Sequence, residues 1–95
     1  MFSELERIIE SAKALKQEKE KELKALKAQL AQAWQDYTTA CKAGDETEID
    51  RLVSQYNDIE GEAWLVETAV DEYTEAITEA ETGLSALEYL YRRGA

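Results

Sequence analysis

The sequence predicts an all-α protein: an antiparallel two-helix hairpin of the coiled-coil type that pairs into a dimeric four-helix bundle. Three observations predict it. Turn-forming residues cluster only once in 95 positions, near Gly44. Apolar residues recur every seven positions on both sides of that cluster. The phase of the repeat slips once, at the cluster itself.

The composition suits long helices. There is no proline, and the only glycines are Gly44, Gly61, Gly83 and Gly94. A β-rich domain needs several turns, which draw on Gly, Pro, Asn and Asp. Ala, Leu, Glu, Lys and Gln, all good helix formers, fill much of the chain. Eight aromatics and a 44% hydrophobic content call for burial and argue against a disordered tail. One domain of 95 residues is expected, with helix 1 over about 3–43, a turn at 44–45 and helix 2 over about 46–93.

Helix 1 is expected to start at Ser3, where Ser3 and Glu6 form an S-x-x-E capping box. Gly44 stands where a left-handed glycine ends a helix, and Lys42 suits the negative end of the dipole. Asp45 then reads as a new N-cap, with Glu46 and Glu48 in the first turn. Arg92 and Arg93 mark the C-terminal end of helix 2, and Gly94 can close it.

In helix 2, taking Ile49 as position a, the a and d residues are Ile49, Leu52, Tyr56, Ile59, Ala63, Val66, Val70, Tyr73, Ile77, Ala80, Leu84, Leu87 and Tyr91. All are apolar or aromatic, a run whose chance probability in any of seven phases is roughly 10⁻⁴. Such a repeat defines a left-handed coiled-coil seam. Helix 1 carries the seam Phe2, Leu5, Ile9, Ala12, Lys16, Lys19, Leu23, Leu26, Leu30, Ala33, Tyr37 and Ala40. Lys16 and Lys19 interrupt it. Either their stems pack while the ammoniums reach solvent, or they fix register. Continued past Ala40, the first seam would fall on Gly44 and Thr47, not Ile49. That slip at a capped glycine points to a tight turn and antiparallel neighbours.

If Ala40 faces Ile49, then Leu30 faces Ile59, Leu23 faces Val66 and Lys16 faces Tyr73. Lysines 13, 16, 19, 21, 24 and 27 are then expected beside Glu62, Glu67, Asp71, Glu72 and Glu75. Residues 1–43 hold eight Lys or Arg against seven Asp or Glu. Residues 44–95 hold three against fourteen.

The apolar face is wider than a two-stranded seam. Ala69, Ala76, Gly83 and Leu90 occupy successive g positions of helix 2, and Ile8 and Leu15 occupy g in helix 1. That width suits a bundle, and a homodimer is the simplest closure. The expected interface comprises Ile8, Leu15, Val66, Ala69, Val70, Tyr73, Ala76, Ile77, Ala80, Gly83 and Leu84. Trp64 and Leu65 lie off the seam beside Gly61, and Tyr89, Tyr91, Arg92 and Arg93 gather at the C-terminus. These six are candidate contacts for a further partner. The C-terminal group is expected to overhang Met1, and ordinary helix-end packing is the alternative for it. Trp34, at an e position, reads as a cap on the edge of the core.

No chemistry stands beside the seam. Di-iron bundles use inward Glu and Glu-x-x-His ligands, but this chain has no histidine and its acids avoid a and d. Cys41 has no base to activate it, and no glycine-rich phosphate loop is present. The reading is a non-enzymatic protein–protein interaction module with no cofactor, partnered by itself and possibly by another protein. The alternative is an acidic decoy or chaperone that occupies a basic surface. A net charge of −10 argues against nucleic-acid and anionic-membrane partners. The acidic N-terminus lacks the apolar core of a signal peptide, and the lone Cys41 fits a reducing compartment. The expected location is cytoplasmic. In length and shape the hairpin resembles the small hairpin proteins exported by specialised bacterial secretion systems. Their defining Trp-x-Gly is absent from this turn, Cys41-Lys42-Ala43-Gly44-Asp45, and no family is assigned.

Overall fold

A computed structural model describes residues 2–94 of the chain. Two helices account for it: α1 (Ser3–Ala43) and α2 (Glu46–Gly94). Among the described residues there is no strand. The helices pack antiparallel into a rod of 75 × 14 × 14 Å, the length expected of one straight α2 of 49 residues at about 1.5 Å per residue.

The turn is built as its residues dictate. Gly44 adopts the left-handed conformation, φ 73° and ψ 21°. Its N–H donates to the Cys41 carbonyl (3.3 Å) and the Ala40 carbonyl (3.0 Å), and the Asp45 N–H also reaches Ala40 (3.4 Å). This paired pattern is a Schellman ending, which satisfies the orphan carbonyls of the last turn. Asp45 Oδ1 accepts from the Glu48 N–H at 3.2 Å, capping α2.

The start of α1 differs from the expected capping box. Phe2 is the N-cap residue and has no side-chain cap hydrogen bond. The Glu6 N–H donates instead to the Phe2 carbonyl at 3.0 Å. Ser3 is therefore already helical and cannot cap. The Phe2 ring meets Tyr91 edge-on, centroids 6.1 Å apart, so the N-cap residue packs on the far end of α2.

Every seam residue of α1 is buried or half-buried, the two lysines included. In α2 the same is true from Ile49 to Leu84, whereas Leu87 and Tyr91 are 48% and 55% exposed. Among the described residues, all eight that are buried lie at a or d: Ile9, Leu26, Ala33, Ala40, Leu52, Ala63, Val66 and Ile77. Leu26, Ala63 and Val66 form the central cluster, with Leu23, Leu30 and Ile59 packed on it. The 3.5-residue period has thus become the contact line of the hairpin.

Leu23, Leu30, Ile59 and Val66 share the central cluster, as expected, but toward the chain ends the cross-helix partners are displaced. Phe2 meets Tyr91 rather than Leu87, and Lys13 reaches Glu81. Tyr73 shares a groove with Lys19, while Lys16 lies with Thr74 and Ile77. Helical side chains lean toward their own N-terminus. In an antiparallel pair this lean brings each α1 residue to an α2 residue further from the turn. Among the described residues, Lys13–Glu81 (3.7 Å) is the one ion pair that crosses between helices. Lys16–Glu20 (3.7 Å) and Lys19–Glu22 (3.3 Å) close within α1. The lysine stretch therefore neutralises its own helix more than its neighbour. Lys21, Lys24 and Glu75 occupy f and b positions, which point away from the seam, whereas Glu72 lines the same groove as Lys19, as expected.

Candidate functional site

A two-helix seam leaves two flanks, and here they differ along the rod. One flank runs beside the d positions and carries the g residues. Toward the chain ends these are Ile8 and Leu15 on α1 and Ala69, Ala76, Gly83 and Leu90 on α2. Toward the turn they become Glu22, Gln29 and Asp36, facing Glu48, Gln55 and Glu62. The other flank runs beside the a positions and carries the e residues, with the reverse gradient. Toward the ends it holds Lys13, Glu20, Glu67, Glu81 and Glu88, and toward the turn Trp34, Cys41 and Val53.

The sequence-derived interface residues divide between seam and flank. Val66 and Ile77 are buried within the hairpin, and Val70, Tyr73, Ala80 and Leu84 are half-buried there. These six already have a partner in α1. Ile8 (60% exposed), Leu15 (47%) and Leu90 (62%) stand open on the g flank, beside exposed Ala76 and Gly83 and half-buried Ala69. A Cβ added at Gly83 would meet nothing within 4 Å, so nothing inside the hairpin requires a glycine there.

The off-seam candidates do not form one patch. Trp64 and Leu65 are both exposed, but position b turns Trp64 toward the Trp34 flank and position c turns Leu65 toward the Ala69 flank. At the C-terminus, Tyr91 packs on Phe2, and the Tyr89 hydroxyl accepts from Arg93 Nη1 at 2.8 Å. Of the four C-terminal candidates only Tyr91 touches the other helix end, Tyr89 and Arg93 pair with each other along α2, and all four are exposed. Met1, expected beneath them, lies outside the described residues.

An aromatic cleft near the turn was not visible in the sequence as a unit. Trp34, Tyr37, Val53, Tyr56 and Asn57 enclose about 220 Å³ on the e flank. Trp34 lies 5.5 Å from Tyr37 and 6.0 Å from Tyr56 by ring centroids, both tilted. Trp34 therefore lies on the rim of the seam, as expected, yet 55% of it stays exposed. The signal available in the sequence was the e-position pair Trp34 and Val53 next to two a-position tyrosines. The Tyr37 hydroxyl is pushed above its ordinary pKa, chiefly by the Cys41 side chain one turn along the helix.

Elsewhere the polar groups make local pairs. Arg51 donates through Nε to Glu48 at 3.0 Å and through its terminal nitrogen to the other carboxylate oxygen. This fork holds Glu48 below the usual carboxylate range and raises Arg51. Among the described residues no group of His, Cys, Asp or Glu has the arrangement of a metal site. No described helix is long and apolar enough to cross a membrane. No protein-family model matches the chain, and neither a curated protein nor a solved structure matches it.

Proposed function

We propose that this chain is a non-enzymatic interaction module that closes its open g flank against a second copy, giving a four-helix bundle. The supporting observation is its surface. The chain exposes 7236 Å², whereas a compact monomer of 10.8 kDa exposes about 5,500 Å². The radius of gyration is 21.4 Å, against about 12 Å for a compact domain of this length. A standard protein interface removes about 800 Å² from each partner, so one such contact fits within the excess. The open apolar g residues favour a contact in the half of the rod remote from the turn.

Sedimentation equilibrium tests the reading. The chain should run at twice its monomer mass at micromolar concentration. Leu15→Glu with Leu90→Glu should dissociate it while the helical circular dichroism persists, and Ala28→Glu, on the outer face, should leave it dimeric. A folded monomer across the concentration range would overturn the proposal.

A second reading, an acidic protein that occupies a basic surface of a partner, draws on the single cross-helix ion pair. Most of the fourteen carboxylates of residues 44–95 are exposed and are not paired with α1. Its affinity for a basic partner should fall steeply with ionic strength.

A further inference from the structure

We propose that the aromatic cleft at Trp34 receives an arginine side chain from a basic segment of a second protein. This gives the acidic reading a site, and it does not depend on homodimerisation, because the cleft lies on the flank opposite the proposed dimer contact.

Size argues first. About 220 Å³ is below the ~300–1,000 Å³ of pockets for drug-sized ligands, so the cleft suits one side chain and not a metabolite. Its lining argues second. Trp34, Tyr37 and Tyr56 present three ring systems, and Trp34, the best cation–π acceptor, is the most open of them. A planar guanidinium stacks on such a face better than an ammonium does, and the Asn57 side-chain carbonyl offers an acceptor to its N–H groups.

Charge decides between a cationic and a merely apolar occupant. No Lys or Arg occurs from residue 28 to residue 41 of α1, and Asp36 is the only charge there. On α2, Asp50 precedes Val53 by three residues and Glu60 follows Asn57 by three. Both carboxylates thus stand one turn from the lining, on its own face. Arg51 is the only cation from residue 50 to residue 63, and Glu48 already holds it on the other flank. A neutral apolar group would gain the rings but not this field, whereas an arginine gains both.

The experiment uses the full chain with Trp64→Phe, which leaves Trp34 as the fluorescent reporter. Tetra-arginine is titrated in, with tetra-glutamine and tetra-glutamate as controls. Tetra-arginine should shift Trp34 emission saturably, and the controls should not. Asp50→Asn with Glu60→Gln should weaken binding about fivefold, as two exposed charge contacts imply. The converse reporter, Trp34→Phe with Trp64 retained, should show little change. Absence of a saturable signal would overturn the proposal. So would an equal response to tetra-glutamine, or an equal affinity in the Asp50/Glu60 variant. Equal responses from both tryptophan reporters would also sink the cleft, while leaving a general attraction of the acidic helix for cations intact.

Discussion

Glu48 sits three residues into α2 and does two things at once. Its N–H is capped by Asp45, and its carboxylate receives the Arg51 fork. The hydrogen bonds from Arg51 hold its pKa down. A carboxylate depressed by folding binds protons less readily in the native state than in the unfolded one. Its contribution is complete above the unfolded value and disappears as pH falls through the folded one. The native chain should therefore melt higher than Glu48→Gln at neutral pH, and the gap should close below about pH 4. Acid also relieves the mutual repulsion behind the net charge of −10, but that effect is nearly common to both proteins. Paired thermal melts from neutral to acid pH separate the two. A gap that does not narrow as the pH falls below the ordinary glutamate range would remove the Arg51 fork as its cause.

At the scale of the elements, the most regular signal was the most legible. The a and d residues that the period selects are those the hairpin covers as far as Leu84, and the slip between Ala40 and Ile49 is the turn. What escaped depends on contacts far apart in sequence. The Ser3–Glu6 motif reads locally as a cap, but the helix begins one residue earlier than that motif implies, with Phe2 as N-cap and its ring on Tyr91 at the other end of the chain. The aromatic cleft needs Trp34 and Tyr56 brought together across the seam, and periodicity says nothing of the space they leave. The threonine ladder of α2 is similar in kind. Thr74, Thr78 and Thr82 each donate to the carbonyl four residues earlier, which satisfies the hydroxyls at a slight cost to the helix. The Lys16–Lys19 interruption shows how a legible position can still have an unreadable role. Both side chains are half-buried and reach acids one turn on, in their own helix, as expected of stems that pack while heads stay wet. Leu at both sites should accordingly raise the melting temperature and leave the particle mass unchanged. Thermal melts with light scattering decide it, since a heavier or mixed particle would mean that the lysines specify stoichiometry.

For the whole molecule, the decisive question is whether the g flank faces water or a second chain. Gly61 and Gly83 allow a direct comparison. Both lie inside α2, and a Cβ at either would meet nothing within 4 Å. In an isolated hairpin the two sites are equivalent, and replacing either glycine should stabilise the helix by about 0.5–1 kcal/mol. They differ only in direction: Gly61, at f, faces outward, and Gly83, at g, faces the proposed partner. If a second copy packs there, Gly83→Leu forces bulk into a filled contact, at about 1–3 kcal/mol for overpacking. That range corresponds to roughly a five- to 150-fold weaker dimer. Gly61→Leu should leave the dimer constant unchanged and raise the melting temperature. Sedimentation equilibrium on the two variants reads the difference directly. Equal dimer constants would place Gly83 in solvent, and the second copy would have to be sought on another face.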